Sequence, residues 1–166
     1  MNVETTNLKA FTRKESRIVD RLIIPVDITN GDKKIRVDAL WDTGATVSCV
    51  SYGVVNALDL VSMGRLPVRT PSGYREMSTY KVDVLLPNNV GITGVEVCDS
   101  EIGAQNLGML IGMNIISLGD FSVSNYNGIT TFTFRSPSNG FTDYVQQIRA
   151  SNITGPKHGQ GKRKKH

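Results

Sequence analysis

Apolar residues along this chain alternate with polar ones in short runs, broken by Gly, Asn, Pro and Ser. That pattern is the mark of strands joined by tight turns. Leu22-Ile23-Ile24-Pro25-Val26-Asp27-Ile28 reads as a strand, and Asn30-Gly31-Asp32 signals a hairpin. Residues 35–41 form the return strand, with Ile35, Val37 and Ala39 alternating against Arg36, Asp38 and Leu40. A short helix is expected over residues 51–58. Runs of mixed polarity at 66–70 and 74–86 flank Pro71-Ser72-Gly73, where proline second and glycine fourth suit a type I turn. The pair reads as a long exposed hairpin. Further strands are expected at 90–98, 109–112, 121–124 and 129–134, the last two joined through Tyr126-Asn127-Gly128. Residues 141–149 have helical spacing through Phe141, Tyr144 or Val145, and Ile148. There is no repeat of solenoid length. The pattern predicts an all-β domain of many short strands with one or two short helices.

Length and charge sharpen this picture. The 166 residues suit one domain large enough to bury a core without staples. The formal charge of +4 invites a nucleic-acid or membrane-surface reading. Yet Lys157, Lys162, Arg163, Lys164 and Lys165 all fall in the last twelve residues, leaving 14 basic against 15 acidic residues, a net of −1, over residues 1–154. The body is near neutral and the basicity is a tail. The expected organisation is a polar leader at 1–20, the main domain at 21–136, a helical extension at 137–150 and a disordered basic tail at 151–166. No secretory signal is visible, and the longest uncharged stretch, residues 102–119, is too polar and glycine-rich to span a membrane. A cytoplasmic protein is expected. Cys49 and Cys98 make no disulfide framework, and reduced thiols are the reading taken.

The chemistry points to one segment, Ala39-Leu40-Trp41-Asp42-Thr43-Gly44-Ala45-Thr46-Val47-Ser48. An aspartate ends an apolar strand, small residues follow, and a second apolar strand comes next. This sets one carboxylate on a tight loop whose backbone can approach a ligand closely. A turn aspartate capping its own loop fits the same local pattern. About 70 residues on, Leu110-Ile111-Gly112-Met113-Asn114-Ile115-Ile116 repeats the order of apolar strand, glycine and short helical run. The long hairpin lies between the two. Other chemistries find little support. The only histidines, His158 and His166, sit in the basic tail, which argues against Ser-His, Cys-His and zinc sites. No metal or other cofactor is expected. Nothing points to a glycosidase carboxylate pair.

The order Asp-Thr-Gly-Ala, hairpin, Leu-Ile-Gly-x-Asn-Ile-Ile and Gly119-Asp120-Phe121 resembles the retropepsin-like aspartic proteases. These are the single-lobe family of retroviral and related bacterial and cellular enzymes. The resemblance covers residues 22–134, and the ending Ile-Ile-x-x-Gly-Asp-Phe is closer in style to prokaryotic and cellular members. It implies a small closed barrel-like domain with a flap hairpin. One departure stands out: many retroviral members pair an acid at the position of Thr46 with an arginine at that of Met113, and here both are missing together.

The resemblance implies an aspartic endopeptidase. That chemistry needs two carboxylates sharing a proton, one acting as acid and the other as base on a bound water. The chain has one Asp-Thr-Gly, since Asp120 is followed by Phe and Asp143 by Tyr. The second aspartate must then come from a second copy in a C2 homodimer. By resemblance Asp42 is catalytic. Thr43 bonds across the dimer axis, Gly44 offers its backbone to a polypeptide substrate, and Ala45 and Thr46 line the nearest subsites. Ser72, Gly73 and Tyr74 form the flap tip over the substrate, Leu110 is a pocket wall, and Gly112 packs behind the loop. The rival reading is a catalytically inactive dimeric binding or scaffold module whose tail, through residues 162–165, contacts nucleic acid. A basic terminus of this kind is more often a solubilising tail, and that side is taken here.

Overall fold

The computed structural model describes residues 2–3, 8–70 and 73–154. In chain order its elements are β1 (Asn2–Val3), β2 (Lys9–Lys14), β3 (Ile23–Asn30), β4 (Lys33–Trp41), β5 (Ser48–Ser51), α1 (Tyr52–Ala57), β6 (Gly64–Thr70), β7 (Gly73–Leu86), β8 (Val90–Ser100), β9 (Met109–Ile111), α2 (Met113–Ile116), β10 (Asp120–Ser124), β11 (Thr131–Ser136) and α3 (Tyr144–Thr154). Gly31 closes the first hairpin with φ +56, a conformation glycine adopts freely. The β3–β4 register then runs from Asn30↔Lys33 to Ile23↔Leu40. Ser51 caps α1 by accepting the Val54 N–H at 3.3 Å. β6 and β7 form the long hairpin, paired from Gly64↔Thr79 to Thr70↔Gly73. The turn expected at Pro71 and Ser72 lies outside the described residues.

Eight strands form one sheet in the order β1-β8-β5-β9-β4-β3-β7-β6, and an added β7–β8 pairing closes the inner six into a ring. Two of the pairings, β4–β9 and β5–β8, are parallel. The ring encloses Ile24, Val26, Ile28, Ala39, Val50, Val82, Ile92, Val97, Met109 and Ile111, all buried. Burial of each Val, Ile or Met among them contributes about 1.5–3 kcal/mol, so the ring is held chiefly by its interior.

A second sheet, β10-β11-β2, lies against this core. It corrects the reading of residues 1–20 as a leader, because β2 pairs along its whole length with β11, from Lys9↔Ser136 to Lys14↔Thr131. Phe11 of β2 is buried among Trp41, Phe132 and Phe134. The C-terminal readings shift as well. The helix begins at Tyr144 rather than at residue 141, because the Asp143 carboxylate accepts the N–H groups of Val145 and Gln146 at 2.8 and 3.1 Å. It also continues to Thr154, into the stretch assigned to the disordered tail. Residues 155–166, with both histidines and the lysine cluster, lie outside the described residues. Among the described residues no helix is long and apolar enough to cross a membrane.

Candidate active site

Parallel pairing of β4 with β9 sets the site. The register Ala39↔Met109, Leu40↔Leu110, Trp41↔Ile111 brings both strands out at the same end. Asp42 and Gly112 follow directly. Asp42 N–H donates to Ile111 O at 2.9 Å, and the Asp42 carboxylate accepts the Gly44 N–H at 2.8 Å. The two loops then interlock: Met113 N–H donates to Ala45 O at 2.7 Å and Asn114 N–H to Thr46 O at 3.1 Å. Gly112 has no room for a side chain, since a Cβ there would lie 2.8 Å from Ala45 O and 2.9 Å from the Val47 carbonyl carbon. Beneath the loop, Trp41 stacks on Phe121 with centroids 5.1 Å apart and planes 10° from parallel, and meets Phe134 at 5.1 Å. The carboxylate therefore stands one residue beyond a fixed aromatic cluster.

Two residues of the quoted motif segments, with no role of their own read from the sequence, hold the loops from behind. Ser48, fully buried, accepts the Gly112 N–H at 2.9 Å and donates its hydroxyl to Asn114 Oδ1 at 2.7 Å. Asn114 Oδ1 also accepts the Ser48 N–H at 2.9 Å, and its Nδ2 donates to Glu96 O at 2.9 Å. Their only local signal was a small polar residue inside each of two apolar runs.

Asp42 borders a cavity of about 580 Å³ lined also by Gly44, Ala45, Thr46, Cys49, Leu66, Val68, Met77 and Leu110. Of the sequence-based site residues, Asp42, Gly44, Ala45, Thr46 and Leu110 thus come together. Thr43 is exposed beside the cavity and does not line it; nor do Gly73 and Tyr74 at the hairpin end. Tyr74 shares a face of the hairpin with its register partner Arg69, not with Leu66 and Met77. Ser72 lies outside the described residues. Leu66, Val68 and Met77 were not anticipated as lining residues. A larger cavity, about 740 Å³, lies between β10 and residues 139–144; its one carboxylate, Asp120, is bound by Arg135, Ser138 and the Asn139 N–H, so it offers no free acid.

The thiols are inert. Cys49 and Cys98 are register partners on the parallel strands β5 and β8, and both are free. Burial pushes the Cys49 thiol up to about 12, with the neighbouring Cys98, Asp99 and Asp42 adding to the effect. At neutral pH it is a protonated thiol and a poor nucleophile. Among the described residues no three His, Cys, Asp or Glu side chains gather as a metal-binding group. What the cavity offers is one exposed-edge carboxylate on a braced loop, with mostly apolar walls.

The architecture is that of the retropepsin-like all-β fold. The chain is similar to a retropepsin-like aspartic protease from Rickettsia conorii, with a TM-score of 0.50 and 12% identity over 78% of this chain and 95% of that one. EIAV protease complexed with an inhibitor gives a TM-score of 0.45 and 18% identity, over 58% and 86% of the two chains. The retroviral protease-like domain of Ddi1 from Leishmania major gives 0.44 and 19%, over 63% and 82%. No family model matches the sequence, and no curated protein does.

Proposed function

We propose that this chain is an aspartic endopeptidase that works as a homodimer. The observation that carries the reading is the Asp42 carboxylate. It directly follows β4, its loop is braced by the 112–114 segment, and it opens onto a cavity able to take apolar side chains. One such carboxylate is half of a dyad. In the dimer two Asp42 side chains face each other across the axis and share one proton, because like charges a few Å apart do not both ionise. The ionised one takes a proton from a water held between them while the oxygen adds to the peptide carbonyl. The protonated one gives its proton to the carbonyl oxygen. Collapse of the tetrahedral diol, with proton transfer to the leaving nitrogen, frees an acid and an amine and restores the shared proton. No covalent intermediate forms.

In this reading Thr43, exposed beside the axis, bonds to its mate and fixes the two loops. The Gly44 backbone meets the substrate chain, Ala45, Thr46 and Leu110 line subsites, and the β6–β7 hairpin, with Gly73 and Tyr74 near its end, closes over the peptide. Gly112 keeps the loops in contact. The catalytic unit runs from β2 through residue 136, wider at its start than residues 21–136.

The test is cleavage of an unfolded protein between mildly acidic and neutral pH, beside Asp42→Asn. General acid–base catalysis is worth about 10²–10⁴-fold, so the variant should lose at least the lower figure. Equal cleavage by both proteins overturns the reading. A dimer that cleaves nothing, yet binds nucleic acid in a salt-sensitive way, would instead be the scaffold module.

A further inference from the structure

β6 is the terminal strand of its sheet, so one of its edges has no strand beside it among the described residues. Leu66, Pro67, Val68 and Arg69, four consecutive residues of this strand, all border the cavity that holds Asp42. The register with β7 sorts them by face. Leu66 stands opposite Met77 and Val68 opposite Arg75, whereas Arg69 stands opposite Tyr74. Directly opposed residues share a face, and faces alternate along a strand. Leu66, Val68 and Met77 therefore share one side of the hairpin with Arg75, and Arg69 stands on the other with Pro67, Glu76 and Tyr74. An extended peptide beside this edge turns its own side chains alternately the same two ways. One set meets the apolar residues and the other meets Arg69.

The charges of the hairpin single out that arginine. Arg65 is 3.5 Å from Glu76. Arg75 lines a neighbouring cavity of about 250 Å³ together with Glu76, Asp99 and Glu101. Arg69 is exposed and has no ion pair among the described residues, and the only carboxylate lining its cavity is Asp42. Of the hairpin's three arginines among the described residues, Arg69 alone lines the cavity of Asp42, where that carboxylate is the one acid, and it stands on the rim of the candidate cleft.

We infer that Arg69 is a specificity-determining residue that selects peptides carrying an Asp or Glu side chain near the scissile bond. The acid lies on the peptide face opposite the one that packs on Leu66, Val68 and Met77. This rests on the reading of the cavity as a peptide-cleavage site. In a C2 dimer each copy supplies one Arg69, so acids are favoured on both sides of the bond. An exposed ion pair of this type is worth about two- to fivefold in selectivity, and it weakens as salt rises.

The experiment uses peptide sets that differ only by Glu, Gln or Lys at each position flanking a cleaved bond. Cleavage efficiency is measured for the unaltered protein, Arg69→Gln, Arg69→Glu and Arg75→Gln. The expected result is a preference for Glu of about two- to fivefold at one or more positions. It disappears in Arg69→Gln, turns toward Lys-containing peptides in Arg69→Glu and survives in Arg75→Gln. An unchanged preference in Arg69→Gln, or none in the unaltered protein, overturns the inference. Binding of the same peptides to Asp42→Asn, read by fluorescence anisotropy, separates it from the protease reading. An Arg69-dependent preference in binding without cleavage by any form sustains the role of Arg69 and sinks the protease. Neither binding nor cleavage overturns both.

Discussion

At Gly112 two opposing effects of one methyl group can be weighed. Its φ of −96° is open to any residue, so backbone strain is not the issue. Replacing such a glycine by alanine ordinarily stabilises a protein by about 0.4–1 kcal/mol, by restricting the unfolded chain. Here the added Cβ would sit 2.8 Å from Ala45 O and 3.0 Å from Val47 O, both backbone atoms of the Asp42 loop. Overpacking against groups that cannot rotate away costs about 1–3 kcal/mol, which outweighs the gain. Gly112→Ala should lower the denaturant midpoint by a net loss of about 1–2 kcal/mol, and it should reduce cleavage by moving Asp42. A raised midpoint would mean that the two loops do not meet as described. Ser48 and Asn114 belong to the same contact, and their bracing role was not legible in the motif segments that contain them, for a physical reason. Their hydrogen bonds join positions 66 residues apart, and nothing local distinguishes a loop-bracing serine from any other.

Among the elements, the β3–β4 hairpin carries the clearest pH dependence. Asp27 is buried on β3, where it accepts two hydrogen bonds from Arg36, at 2.7 and 3.0 Å, and stands 2.7 Å from Lys34 Nζ. The Arg36 guanidinium, then Lys34, hold its carboxyl down to about 2. Asp120, bound by the Ser138 hydroxyl, the Asn139 N–H and Arg135, is likewise lowered to about 2. A carboxyl depressed in the folded state stabilises it above the unfolded value, near 3.9. That stability is lost as pH falls through the folded value. Urea midpoints should therefore drop between about pH 4 and pH 2. Asp27→Asn should flatten part of that slope and cost about 1–2 kcal/mol at neutral pH, at the low end because both cations remain in water. An unchanged acid slope in the variant would show that the hairpin pairs are not formed. The hairpin itself was legible in the chain, since Asn30-Gly31-Asp32 between alternating runs sets the turn and the pleat sets the faces. β2 was not legible. Its six residues hold one core side chain, Phe11, and its partner strand lies some 120 residues away. Local alternation records burial on one face, but it carries no trace of so distant a partner. The start of α3 was misplaced for the opposite reason: Phe141 has the right spacing, but Asp143 caps the helix after it and leaves Phe141 in solvent.

At the scale of the whole molecule, the candidate site was legible where chemistry is concentrated in consecutive residues and illegible where the fold assembles it. The loop of Asp42, Gly44, Ala45 and Thr46 could be read from one stretch, whereas Leu66, Val68 and Met77 reach the same cavity only because the β6–β7 hairpin folds over it. In the proposed reading the largest step lies beyond a single chain, because one Asp-Thr-Gly supplies one carboxylate. A shared site makes a quantitative demand that an independent site does not. When a fixed amount of unaltered protein is mixed with an equal amount of Asp42→Asn and allowed to exchange subunits, random pairing leaves a quarter of the dimers with two intact aspartates. There are then twice as many dimers, so total cleavage should fall to about half that of the unaltered protein alone. A monomeric enzyme would lose nothing on such mixing. The same logic makes specific activity fall on dilution below the dimer dissociation constant, while the variant stays inactive at every concentration. Activity that is unmoved by mixing, in a protein that sediments as a monomer, would show that Asp42 works without its mate and that the second catalytic group lies elsewhere in this chain.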